Sequence, residues 1–206
     1  MPAKIKFTKG ELKRQRDDLK QFERYLPTLQ LKKQQLQLEI LTQRTLLQER
    51  SLSLGKKKQA IDAWSGLFNE PAIDLKPFLS SAKVATRLKN IAGVDIPVFS
   101  ALEFAPAVYD LFITPLWIDT AVDLLRAVIV LKQEVSILEK GIVILRHELR
   151  TTTQRVNLFE KVLIPQAEEN IRLIKIYIGD QMANAVGRSK IAKRKIEELV
   201  LAGEAA

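Results

Sequence analysis

Apolar residues recur along this chain in long rows of sevens, one set in each terminal part. Every seventh residue from Leu12 gives Leu19, Leu26, Lys33, Ile40, Leu47, Leu54, Ile61 and Phe68. A companion row through Phe22, Leu29, Leu36 and Trp64 lies three residues after the first. Toward the other end, Ala121, Val128, Val135, Ile142, Leu149, Val156 and Leu163 form one row. Trp117, Leu124, Leu131, Leu138, Leu145, Phe159 and Leu173 form its partner, broken by Thr152 and Gln166. A 3,4 alternation sustained this long is the seam of a coiled coil, narrower than the stripe of an ordinary globular helix. The seams match in length and are separated by enough chain to turn round. The pattern therefore predicts a mainly α fold: a long antiparallel two-helix coiled coil of the N- and C-terminal segments, with a small central region between them. A helix of roughly 60 residues would reach about 90 Å at ~1.5 Å per residue.

The first helix is expected over 9–68. Thr8, with Glu11 three residues on, has the form of a capping box. Pro27 should kink this helix or cost roughly 3 kcal/mol in a straight one, and Gly55 is a second weak point. Lys33 stands where the seam calls for a hydrophobe, which a snorkelling stem satisfies. The central region, 69–114, loses the heptad and gathers prolines. Val84–Ile91 and Val94–Phe104 read as two strands of a β-hairpin around Ala92-Gly93, carried at the end where the chain turns round. Val94, Ile96 and Val98 alternate with Asp95 and Pro97 in the period-2 pattern of a half-buried strand, and Pro97 confines that strand to an edge. A short helix is expected within 69–83. The second long helix spans 115–201, opening at Pro115. After Pro165 its apolar row changes phase to Ile171, Ile174 and Ile178, which a kink at the proline would produce.

Candidate chemistry is sparse. Cysteine is absent and His147 is the single histidine, so most nucleophile–base pairs and thiolate metal sites are excluded. Gly55-Lys56-Lys57 lacks the spacing of a phosphate loop. Carboxylate pairs such as Asp17-Asp18 and Glu197-Glu198 lie on helix faces rather than across a cleft. No catalytic, cofactor-binding or metal residue is assigned. The apolar stretch 111–131 is interrupted by Asp119, Asp123 and Arg126 and continues the heptad, so no membrane insertion is expected.

The net charge of +9 favours partners with negative surfaces. Its densest concentrations are Lys4, Lys6, Lys9, Lys13, Arg14 and Arg16 at one terminus and Arg188, Lys190, Lys193, Arg194 and Lys195 at the other. In an antiparallel pair these meet at one end. Without interleaved aromatics or a reading helix, the basic segment does not describe a nucleic-acid site. If Pro27 and Pro165 lay at similar height, the last helix would overhang its partner beyond about Gly187.

Three stretches carry a resemblance. Leu26–Leu36 has a leucine and lysine pattern around L-x-x-K-x-x-x-L, and Asn90–Pro97 (with Gly93, Val94 and Ile96) resembles a central hairpin signature. Thr153–Pro165 contains Arg155-Val156-Asn157 followed by an apolar-Pro step ending at Pro165, with Glu169, Ile171 and Ile174 beyond it. Together they resemble the D subunit of the V/A-type (vacuolar/archaeal-type) rotary ATPases, in a bacterial-like form. The departure is at Gly179–Asn184, where many relatives are richer in Glu and Arg. The resemblance implies a non-catalytic central-stalk axle, binding no nucleotide or cofactor, peripheral to the membrane on the cytoplasmic side. It implies as partners the hexamer of catalytic and regulatory subunits A and B, the F subunit of the rotor, and a funnel-like subunit above the membrane ring. Lys13, Arg16, Arg188, Lys190, Lys193, Arg194 and Lys195 are then expected to grip the hexamer. The alternative is a stand-alone coiled-coil scaffold or adaptor.

Overall fold

A computed structural model describes residues 6–63, 66, 76–106, 115 and 117–204. The elements are α1 (Lys9–Asp62), α2 (Lys76–Leu79), β1 (Ser81–Ile91), β2 (Val94–Phe104), α3 (Trp117–Leu158), a π-helical turn (Phe159–Leu163) and α4 (Ile164–Glu204). The mainly helical fold with a central hairpin is as the periodicity implied. The ends of the first rows at Trp64 and Phe68, the expected start of the central region at 69–75, and 107–114 lie outside the described residues. Helix α1 begins where the cap signal placed it: the Glu11 amide donates to Thr8 Oγ1 at 3.2 Å. The Glu11 carboxylate turns forward instead, accepting from Gln15 Nε2 at 2.9 Å, so the box is half formed.

The chain divides into two compact units, residues 31–153 and residues 1–30 with 154–206. In the first, α1 and α3 run antiparallel, cross-tied by Lys32 Nζ donating to Glu148 Oε1 at 2.8 Å and by an Arg50–Glu134 ion pair at 3.3 Å. Leu36, Ile40, Val94, Ile96 and Leu145 form its core, with Ile91, Ala92, Val98 and Leu149 packed against it. Burying each large aliphatic chain contributes about 1.5–3 kcal/mol. The seam positions thus share their core with the hairpin. Lys33 is half-buried, as a snorkelling stem would be.

Strands β1 and β2 pair antiparallel with Ile91 opposite Val94 and irregularities at Ser81/Lys83 and Ala85/Thr86. Ala92 (φ 51°) and Gly93 (φ 77°) both occupy the left-handed region, the requirement of a two-residue type I′ turn. Asn90 fastens it, its Oδ1 accepting from the Gly93 amide at 3.1 Å and its Nδ2 donating to Asp95 Oδ1 at 2.7 Å. The hairpin does not simply sit at the turn-round end as expected. Its base does: Arg126 donates to the carbonyls of Phe78 (3.1 and 3.0 Å) and Ala105 (2.7 Å) and lies 5.2 Å from the Phe104 ring centre. Its tip reaches back to Leu36, Ile40 and Leu145, 19 residues or about 28 Å along α3 from Arg126. Two apolar inner faces are covered at once this way, which a projecting hairpin would leave wet.

In the second unit the start of α1 pairs antiparallel with α4. Phe22 meets Phe159 edge-on (5.3 Å, 84°), Asn170 Nδ2 donates to Gln15 Oε1 at 3.3 Å, and Phe7 lies 5.1 Å from Tyr177. Val156, Ala167, Ile171 and Ile174 are buried. These contacts put Pro165 opposite the Gln15–Phe22 stretch, with Pro27 beyond Phe22. The two prolines are therefore not at similar height.

Helix α1 continues through Pro27, which is exposed, so the carbonyl it leaves unpaired faces solvent. At Pro165 the chain answers differently. The Ile164 amide donates to the Phe159 carbonyl, closing a π turn just before the proline. A π turn inserts one residue, and the apolar rows move by one residue across it. Continued unshifted, they would pass through Gln166 and Leu173, which are exposed; Ala167 and Ile174 are buried instead. The π turn thus relieves the proline's missing donor and resets the seam in one step.

Candidate functional site

After Ile178 the reset seam reads Gln181, Ala185, Arg188, Ala192 and Lys195. Aliphatic side chains give way to polar, small and cationic ones, and the burial ends at the same place. Every side chain from Gly179 to Glu198 is exposed. The helix nonetheless continues to Glu204, leaving about 26 residues, or ~39 Å, beyond Ile178. The bare stretch begins earlier than the Gly187 expected from level prolines.

Arg188, Lys190, Lys193, Arg194 and Lys195 all lie on it. Lys193 and Arg194 pair with Glu197 and Glu198 one turn on, at 3.7 and 3.6 Å. Such exposed pairs are weak. Among the described residues Arg188, Lys190 and Lys195 have no ion-pair partner. Met182, Val186, Ile191 and Ile196 are interspersed and exposed, so the surface offers apolar contacts as well as charge. Lys13 and Arg16 are exposed but sit on α1 beside Gln15, which contacts Asn170. Arg188 is 18 residues further along α4, about 27 Å away. The seven basic residues expected to act together therefore form two separated groups.

The hairpin residues also separate by role. Val94 and Ile96 are core, Asn90 and Gly93 shape the tip, and the Pro97 carbonyl lies 3.8 Å from where a Cβ on Gly141 would stand. In the Arg-Val-Asn motif, Val156 is buried while Arg155 and Asn157 face outward; Pro165 is exposed. Leu158 and Val162 share the outward side with Arg155 at helical spacing and are half exposed. One turn on, Arg172 donates twice to Glu169, at 2.8 and 2.6 Å. This hydrogen-bonded guanidinium lowers the Glu169 pKa from its ordinary value, and the carboxylate raises that of Arg172.

Sequence reading missed Arg126, which registered only as an interruption in an apolar run. It also missed the Phe22–Phe159 and Phe7–Tyr177 contacts, whose detection needs the helix pairing.

A family described as the D subunit of ATP synthase matches residues 11–194. The V-type ATP synthase D subunit of Borreliella burgdorferi is 48% identical over 197 residues, covering 94% of this chain and 96% of that one. The V-type ATP synthase D subunits of Chlamydia pneumoniae and Chlamydia caviae are 32% and 34% identical, covering 96% of this chain and 95% and 96% of theirs. No described helix is long and apolar enough to cross a membrane. With a helix pair, a folded-back hairpin and a family match covering most of its length, this chain belongs to the D-subunit family of ATP synthases.

Proposed function

We propose that this chain is the central rotor stalk of a V/A-type rotary ATPase, a non-catalytic axle carrying torque between the nucleotide-hydrolysing hexamer and the ion-translocating membrane ring. The bare half of α4 carries the reading: a helix continuing past its own seam, mixing cations with exposed aliphatics, is a surface made for another protein of the complex. It enters the hexamer of subunits A and B, and the paired helices below resist relative sliding through their packed seam. Charges there act over several ångströms, which suits a shaft meeting successive equivalent stations. The F subunit binds along the side of the helix pair, and the funnel-like subunit above the membrane ring receives the opposite end. The complex holds the chain at the cytoplasmic face of the membrane.

The test is reconstitution of the purified A–B hexamer with and without this chain. A stable one-to-one complex with sustained ATP turnover is expected, weakened when Arg188, Lys190 and Lys195 are neutralised together. A hexamer that ignores the chain at low and moderate salt would return it to the scaffold reading.

A further inference from the structure

The fold closes one outer edge of the hairpin and leaves the other open. Strand β2 lies over the helix pair and buries Val94 and Ile96. Its outer edge carries Pro97, which has no amide to offer. The Pro97 carbonyl lies against α3, 3.8 Å from where a Cβ on Gly141 would stand. Strand β1 has neither protection. Among the described residues it pairs with β2 alone, and no side chain from Lys83 to Asn90 is buried.

The turn decides which groups of β1 are free. In a two-residue hairpin the residues flanking the turn, here Ile91 and Val94, exchange both backbone bonds, and bonded pairs then alternate with open ones. Lys89 opposite Ile96 and Arg87 opposite Val98 therefore direct their amides and carbonyls to β2. Those of Asn90, Leu88, Thr86 and Val84 face away from it, in a row about 20 Å long at ~3.4 Å per residue. The side chains sort in the same way. Leu88 (75% exposed) and Val84 (37%) share one face with Thr86 and Asn90, and Lys83, Arg87 and Lys89 lie on the other.

Lys89 reaches Glu39 at 3.5 Å, whereas Lys83 and Arg87 have no ion-pair partner among the described residues. Strand β1 contains no carboxylate. Two copies joined edge to edge would set cation against cation, which is unfavourable between neighbouring strands. A segment alternating apolar and acidic residues meets the opposite situation. Its apolar side chains fall beside Val84 and Leu88, and its carboxylates beside Lys83 and Arg87.

We infer that the open edge of β1 takes an extended acidic segment of another protein as a third strand, through the backbone groups of Val84, Thr86, Leu88 and Asn90. The inference rests on the hairpin alone and stands apart from the rotor reading.

The experiment titrates the full chain with a capped peptide of alternating valine and glutamate, read by residue-resolved amide hydrogen exchange. In the free chain the Arg87 and Lys89 amides should exchange slowly and those of Thr86, Leu88 and Asn90 fast; the peptide should slow the second set. A peptide with lysine for glutamate should bind about 10-fold more weakly, the gap narrowing with salt. Leu88→Pro removes one outward amide and no bond to β2, so it should bind about 10-fold more weakly than Leu88→Ala, which only trims the side chain. On the unaltered chain, N-methylation of the peptide's valines, which stand opposite Leu88, should weaken binding about 10-fold relative to N-methylation of its glutamates. Outward amides that stay open with peptide, equal binding of the glutamate and lysine peptides, or indifference to which amides are methylated would each overturn the assignment.

Discussion

The two halves of α4 have the same backbone and opposite surroundings. From Ile164 to Ile178 the helix buries Ala167, Ile171 and Ile174 against α1; from Gly179 to Glu198 it buries nothing. Helicity and pairing are thus written separately. Helicity persists because Ala, Lys, Arg, Glu and Met are strong helix formers, whereas pairing ends once the seam positions become Gln181, Ala185, Arg188, Ala192 and Lys195. Isolated helices are marginal in water, so the second half depends on propensity and on whatever it binds.

The largest expected contrast comes from trimming one isoleucine in each half. Ile174→Ala removes a fully buried side chain and should cost about 3 kcal/mol in chemical denaturation. Ile191→Ala, on the bare half, should stay within about 0.5 kcal/mol. Equal costs would mean that both halves are packed in solution. Hydrogen exchange extends the comparison: amides at 171–178 should be protected by that packing, and those at 188–198 should exchange faster.

A second manipulation sharpens where the packed half takes its phase. Deleting Val162 from the π turn should force Pro165 into a regular helix at a cost of roughly 3 kcal/mol. Combining the deletion with Pro165→Ala should recover most of it, because the shortened segment then joins both seams as plain α-helix. Failure of the second change to rescue the first would show that the π turn is held by something other than proline and phase.

The smallest effect concerns Glu169, on the exposed side of the packed half. Its pKa is lowered in the folded chain, so its contribution is present above the unfolded value of about 4.5 and disappears as pH falls through the folded one. Glu169→Gln should slightly flatten the acid limb of the stability curve, with a change too small to move the midpoint near neutrality. A large acid-limb change would mean that the pair is more shielded than its exposure indicates.

Much of this was legible in the residues. The rows of sevens mark both long helices, Thr8 marks a start, and the period-2 run after Gly93 marks β2, because each signal is local. The phase change after Pro165 was visible too, although its form as a π turn was not: a kink and an inserted residue shift an apolar stripe alike. The bare half was read as starting near Gly187, since the relative height of two helices depends on which side chains interlock. Phe22 against Phe159 decides that, and neither residue signals it alone.

The sequence by itself determined the helices, the hairpin around Ala92-Gly93, the phase change after Pro165 and the family. These rest on propensity and periodicity, which act within a few residues. Tertiary structure alone decided that the hairpin folds back onto Leu36, Ile40 and Leu145, that Arg126 ties its base to α3, and that Lys13 and Arg16 stand apart from the Arg188–Lys195 group. Those outcomes depend on contacts between residues distant in the chain, where the gain from covering apolar surface selects among arrangements that local preferences leave equal.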